Sequence, residues 1–109
     1  MKTMEEPIII STTLERQENA EAIAGALLKK RLVACAQIQG PIKSMYWWKD
    51  GIAESVEFIL TVKTFAKLYF DVEATILAEH PYDVPEIIAE PLVRVNAAYL
   101  AWMEGEIRR

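Results

Sequence analysis

The segment His80-Pro81-Tyr82-Asp83-Val84-Pro85-Glu86-Ile87-Ile88 lies where the sequence changes from helical to strand-like periodicity. Each of its prolines fixes its own φ and biases the residue before it toward extended geometry, so the preceding helix cannot continue through it. The segment also carries the only histidine of the chain. Because the prolines stiffen it, it presents its side chains in a nearly fixed arrangement. The pattern is typical of a binding segment and equally of a plain helix-to-strand turn.

Hydrophobic periodicity on both sides of this segment predicts a regular alternation of strands and helices. A strand has apolar or β-branched residues in short runs, whereas a surface helix repeats them at intervals of three and four. The predicted strands are Ile8–Thr13, Leu32–Ile38 continuing through Ile42–Lys49, Ile52–Thr64 and Pro85–Pro91, and the predicted helices are Glu18–Lys30, one between Thr64 and Pro81, and one after Asn96. We therefore predict one domain over residues 1–109. Its order βαββαβ, plus a C-terminal helix, gives an α+β ferredoxin-like split βαβ fold, with helices on one face of an antiparallel sheet.

A long hairpin is predicted at the centre of the chain. Asp50-Gly51 is a signal for a two-residue type I′ turn, which would place Trp48 opposite Ala53 and Trp47 opposite Glu54. A return strand of about 13 residues would span roughly 43 Å, far more than the ~13 Å radius of gyration of such a domain. The hairpin should therefore protrude, and we expect a partner chain to cover its aromatic residues.

Three local predictions concern the helices and the bend. Gly40-Pro41 should interrupt the second strand as a bulge or bend. Gly25, inside the first helix, suggests close approach of that helix to the sheet. Thr64 and Asn96 are candidate N-caps for the second and third helices.

Composition and charge exclude several functional classes. The formal net charge of −4 provides no basic face for a nucleic-acid backbone. No apolar run approaches the ~18 residues that span a bilayer, and Met1–Pro7 has no leader-like apolar region, so we expect a cytoplasmic protein without membrane contact. The single cysteine, Cys35, excludes an internal disulfide.

Four tracts of the sequence together resemble one known family. They are Arg31-Leu32-Val33-Ala34-Cys35, Tyr46-Trp47-Trp48, Val62-Lys63-Thr64, and the His80 to Ile87 segment. In order and spacing they resemble the CutA family of divalent-cation tolerance proteins, over nearly the whole chain. The resemblance implies a homotrimer whose hairpins engage neighbouring subunits, a response to divalent metal ions, and binding of copper(II) or another divalent cation. It also implies a shape shared with PII-type signalling trimers.

Cys35, His80 and Asp83 are the candidate metal ligands. Cysteine and histidine suit copper or zinc, and a carboxylate adds a hard oxygen. Their spacing carries no metal signature of its own. Cys35 can equally be a small buried residue on an inner strand, and His80 can be a helix-end residue bonded to backbone carbonyls.

A ligand-binding cleft between subunits is predicted from Lys63, Tyr82, Glu86, Trp48 and Glu57. Trp48 could stack on a ligand or be buried between subunits. Lys63 could face Glu57 or Glu86, or extend to solvent. An alternative function is a PII-like signalling or scaffold trimer in which Lys63 anchors a small anion or protein.

Enzymatic motifs are missing from the sequence. It contains no recognisable nucleophile-base pair, no GxSxG and no glycine-rich phosphate loop. We therefore expect a binding protein rather than an enzyme, with no organic cofactor.

Overall fold

The computed structural model describes residues 6–108 as one four-stranded antiparallel sheet with helices packed on it. The elements are β1 (Pro7–Leu14), α1 (Gln17–Lys29), β2 (Cys35–Trp48), β3 (Gly51–Phe65), a short 3-10 helix (Ala66–Leu68), α2 (Tyr69–Glu79), β4 (Ile87–Pro91) and α3 (Ala97–Glu106). The strand order is β2-β3-β1-β4, and all three neighbouring pairs are antiparallel. The predicted α+β split βαβ fold is confirmed. Residues 1–5, which carry most of the leader prediction, lie outside the described range.

The core lies between one face of the sheet and helices α1 and α2. Alternate residues of β1 are buried on this face, because successive side chains of a strand point to opposite sides. These β1 residues pack in one core with buried apolar residues of the other elements, including Leu60 and Val62 of β3, Ile23 and Leu27 of α1, and Val72 and Ile76 of α2. Full burial of each such side chain contributes about 1.5–3 kcal/mol. The other face of β1, with Ile9, Ser11 and Thr13, is only partly buried.

The hairpin turn falls one residue earlier than predicted. Lys49 and Asp50 have φ values of 50° and 68°, so they are the two central residues that a type I′ turn requires. Gly51 instead opens β3 and pairs with Trp48, and Trp47 pairs with Ile52. The predicted register, with Trp48 opposite Ala53, is therefore wrong.

The protruding hairpin itself is confirmed. β1 stops pairing with β3 at Leu14 opposite Phe58, so the first seven residues of β3, 51–57, pair with β2 alone. The molecule is consequently elongated, with principal extents of 53 × 26 × 22 Å. Trp47 and Ile52 face each other on this hairpin and are 74% and 65% exposed. The predicted Gly40-Pro41 irregularity also exists, because the register shifts between Gln39 and Ile42.

The other local predictions have mixed outcomes. Asn96 caps α3, since its side chain accepts a hydrogen bond of 2.8 Å from the amide of Tyr99. Thr64 is not a helix cap: it lies inside β3, and its hydroxyl donates to the carbonyl of Leu32 at 2.7 Å. The close approach predicted at Gly25 is absent, because a Cβ there would meet nothing within 4 Å.

Candidate functional site

A groove of about 710 Å³ lies along the hairpin, between Glu57 at its base and Trp48 near its turn, beside the proline-stiffened segment that follows α2. We call it the hairpin groove. Its lining residues come from the end of β1, the hairpin and that segment: Thr13, Ser44, Met45, Tyr46, Trp48, Glu57, Pro81, Tyr82, Asp83, Val84 and Glu86. Four of the five predicted cleft residues and one of the three predicted metal ligands therefore lie together.

Glu57 occupies the centre of this arrangement. Glu57 is 8% exposed, and its two carboxylate oxygens each accept one hydrogen bond of 2.7 Å, from Ser44 Oγ and from the Tyr82 hydroxyl. None of the ion pairs formed within residues 6–108 includes Glu57. A buried carboxylate is costly to maintain without a counter-charge, and it has about four lone-pair positions. The groove therefore contains a negative charge that only neutral donors compensate.

Tyr82 remains a hydrogen-bond donor at neutral pH. Burial raises the pKa of its hydroxyl far above the usual value, and the hydrogen bond to Glu57 and the charge of that carboxylate raise it further. The tyrosine therefore holds Glu57 without ionising.

His80 is anchored through both ring nitrogens. Its Nδ1 accepts from the backbone amide of Tyr82 at 3.2 Å, so the proton must be on Nε2, which lies 3.0 Å from the carbonyl of Thr13 and 3.1 Å from Thr12 Oγ1. Burial lowers the pKa of His80, whereas the bond to Thr13 and the charge of Glu57 oppose that shift. The neutral imidazole ties the segment after α2 to the end of β1. Neither nitrogen has a free lone pair for a metal in this arrangement.

Cys35 and Lys63 lie elsewhere on the sheet. They pair with each other, and Lys63 pairs with Ile9, four residues before Thr13 on β1. That separation corresponds to ~13 Å along the strand. The Lys63 ammonium donates to Gln37 Oε1 at 2.5 Å and does not line the groove.

The predicted metal ligands Cys35, His80 and Asp83 do not come together within one chain. Residues 6–108 contain no group of three or more histidine, cysteine, aspartate or glutamate side chains that could hold a metal ion. Cys35 is partly buried. Burial of Tyr99 raises the pKa of its hydroxyl, and the neighbouring Cys35 raises that pKa further. Of the three, only Asp83 lines the groove, where it is exposed.

Sequence reasoning missed Ser44 and Thr13. Ser44 lies two and four residues before Tyr46 and Trp48, so strand alternation could have placed all three on one face of β2. Thr13 contributes its backbone carbonyl to His80, and a backbone contact leaves no signal in side-chain chemistry.

No helix within the described part of the chain is both long and apolar enough to cross a membrane.

Comparisons with known proteins agree on one family. A family model described as CutA1 divalent ion tolerance protein matches residues 8–106. The divalent-cation tolerance protein CutA of Thermus thermophilus is 39% identical over 100 residues, which are 92% of this chain and 95% of that protein.

Solved structures support the same assignment. The crystal structure of CutA1 from Oryza sativa matches with a TM-score of 0.93 at 33% identity, covering 98% of both chains. The structure of CutA from Archaeoglobus fulgidus, described as a periplasmic divalent cation tolerance protein, matches with a TM-score of 0.90 at 36% identity, covering 94% of this chain and 99% of that one. With the family model, the sequence relative and the fold in agreement over nearly its whole length, this chain belongs to the CutA1 family of divalent ion tolerance proteins.

Proposed function

We propose that this protein acts as a cytoplasmic homotrimer that binds copper(II) or another divalent cation and takes part in the response to such ions. The observation that carries the proposal is the charge of the hairpin groove. Glu57, Asp83 and Glu86 line it, and no lysine or arginine of residues 6–108 is among its lining residues. Carboxylate oxygens are ligands for divalent cations, and an uncompensated negative groove attracts them.

A neighbouring subunit is part of this proposal because one chain supplies too few ligands. The described residues of a single chain form no cluster of three metal-binding side chains, so we expect a second copy to supply further donors. The hairpin provides the means of contact, since Met45, Trp47, Ile52 and Val56 are 57–74% exposed on it. Monomeric proteins rarely expose contiguous apolar surface of this kind. Three subunits are the number that the family resemblance implies.

The predicted ligands take different parts in this scheme. Asp83 and Glu86 are exposed at the groove and can bind a cation directly. Cys35, as a thiolate, contributes only if a neighbouring subunit approaches the start of β2. His80 must break its bond with Tyr82 or Thr13 before it can coordinate, so in the conformation described it positions the segment that carries Asp83.

The alternative of a PII-like anion-binding trimer receives less support from this geometry. Its expected anchor, Lys63, lies outside the groove and is bonded to Gln37. We further propose a binding role without catalysis and without an organic cofactor, in keeping with the absence of catalytic motifs from the sequence.

Two measurements test the proposal. Light scattering should give three times the mass of one 109-residue chain. Calorimetric titration with copper(II) should show weaker binding in the double variant Asp83→Asn/Glu86→Gln, and unchanged binding in Glu90→Gln, which removes an exposed carboxylate on β4 outside the groove. Binding should also weaken as pH falls, because the ligands become protonated.

Parallel titrations of Cys35→Ser and His80→Ala assign the remaining predicted ligands. Equal copper affinity in the wild type and in all of these variants would refute the ligand assignment. A monomeric mass would refute the trimer.

A further inference from the structure

The hairpin groove combines its negative charge with aromatic surface that a metal ion does not use. Tyr46, Trp48 and Tyr82 contribute rings to the lining, and Met45 and Val84 add apolar surface. Metal sites are built from donor atoms at fixed short distances, whereas ring faces attract cations that are larger and less hydrated. The lining is therefore suited to a cation with a carbon skeleton.

The size of the groove agrees with that chemistry. Its volume of about 710 Å³ falls within the range of ~300–1,000 Å³ typical of pockets for small organic molecules. A single metal ion would fill a small part of it.

The available hydrogen-bonding positions also favour a donor ligand. Each carboxylate oxygen of Glu57 accepts only one hydrogen bond from residues 6–108, so each can accept another. The Tyr82 hydroxyl already donates its proton to Glu57. Ammonium and guanidinium groups carry several N–H donors and a positive charge, so they can bond to a carboxylate in this state. An anionic ligand would meet Glu57 without a compensating cation from the lining.

Trp48 already has a cation near its ring. The Lys49 ammonium lies 5.9 Å from the ring centroid of Trp48 at the hairpin tip. Lys49 is exposed and belongs to the turn, so a bound ligand can replace it on the ring without disturbing the sheet.

We infer that the hairpin groove binds an organic cation, an aliphatic ammonium or guanidinium compound whose charged group meets Glu57 and whose carbon stem lies against Trp48 and Tyr82. This site goes beyond divalent-cation tolerance and does not require it. Metal binding is assigned to the exposed carboxylates of Asp83 and Glu86, whereas the organic cation depends on the buried Glu57.

Three compounds with the same five-carbon stem test the inference by calorimetric titration of the full chain. They are 1,5-diaminopentane, which is cationic at pH 7, 1,5-pentanediol, which is neutral, and glutarate, which is anionic. We expect the diamine to bind at least about tenfold more tightly than the diol, because its ammonium adds a positive charge to the hydrogen bond with the ionised Glu57, whereas the diol hydroxyl is neutral. Glutarate should show no binding.

Matched variants locate the site. Glu57→Gln should weaken diamine binding by about tenfold or more. Trp48→Leu should weaken it about threefold or more, by removing the ring. Two controls lie outside the groove lining: Glu54→Gln on the same hairpin and Trp102→Leu on α3, where Trp102 is exposed, should leave the affinity within about twofold of the wild type. If Glu57→Gln does not fold, the comparison of Trp48→Leu with Trp102→Leu decides.

Several results would overturn the inference. They are absence of diamine binding at about 10 mM, equal affinity for diol and diamine, preference for glutarate, or equal diamine affinity in the groove variants and their controls. A further result would also overturn the inference: the wild type does not bind the diamine, and the Glu57→Gln variant no longer forms the oligomer. That result would mean that a side chain of a second copy occupies the groove. A copper titration of the wild type keeps this outcome separate from the proposed function, because copper binding without diamine binding would overturn only the present inference.

Discussion

Removing the hydroxyl of Tyr82 tests whether the hydrogen bonds to Glu57 hold the groove together. Glu57 is almost fully buried and accepts one 2.7 Å bond from Tyr82 and one from Ser44. A hydrogen bond to a charged group contributes about 1.5–3 kcal/mol to stability. Because Tyr82 is partly exposed and water can replace some of its bonding, we expect Tyr82→Phe to lower the free energy of unfolding by an amount near the lower end, about 1.5–2 kcal/mol.

A second tyrosine on the hairpin provides the control. The hydroxyl of Tyr46 donates to Ser55 Oγ at 3.3 Å in an exposed hydrogen bond, so Tyr46→Phe removes the same atom from a neutral, solvated bond. Its expected cost is below about 0.5 kcal/mol. Guanidinium unfolding at a fixed protein concentration measures both variants, since the stability of an oligomer depends on concentration.

The double variant Ser44→Ala/Tyr82→Phe extends the test. Because both hydroxyls serve one carboxylate, their combined loss should exceed the sum of the single losses, by a coupling of about 0.5 kcal/mol or more. Equal stability of Tyr82→Phe and Tyr46→Phe, or strictly additive losses in the double variant, would refute the view that neutral donors compensate the buried charge.

Three further predictions concern His80, the turn and α1. Because burial lowers the pKa of His80, the unfolded chain binds a proton more readily, so stability should be full above the ordinary value of ~6.5 and fall as pH drops below it. Since His80 is the only histidine, the difference between the pH-stability curves of the wild type and His80→Gln isolates this effect, and parallel curves would contradict it. Replacing Lys49 and Asp50, both at positive φ, by Asn and Gly should raise the free energy of unfolding by about 1 kcal/mol, and no increase would argue against the type I′ turn. Gly25→Ala should add ~0.5–1 kcal/mol, because its Cβ meets open space within a helix, and a loss in guanidinium unfolding would mean that the helix surface is covered there.

Much of the fold is local and could be predicted from single stretches of sequence. The buried alternation of β1, the helical stripe of α1 and the Asn96 cap each depend on residues a few positions apart. The predicted turn is wrong by one residue because Asp50-Gly51 matches the preferred pair, whereas the register of the whole ladder places Lys49 and Asp50 at the turn. The predicted cap at Thr64 is wrong because a threonine before a helical pattern resembles a cap, although β3 extends past it to Phe65.

The candidate site depends on contacts between side chains that are distant in the sequence. The order and type of the elements, the protruding hairpin and the stiff connector after α2 were determined by the sequence itself, because periodicity, prolines and turn residues act over short distances. Which side chains meet was decided only by the tertiary structure. Sheet pairing places Cys35 beside Lys63 and far from His80, and it places Glu57 between Ser44 and Tyr82, 13 and 25 residues away along the chain. The physical reason is that these contacts depend on strand register and on the β-bulge between Gln39 and Ile42, which set every later pairing of β2 at once.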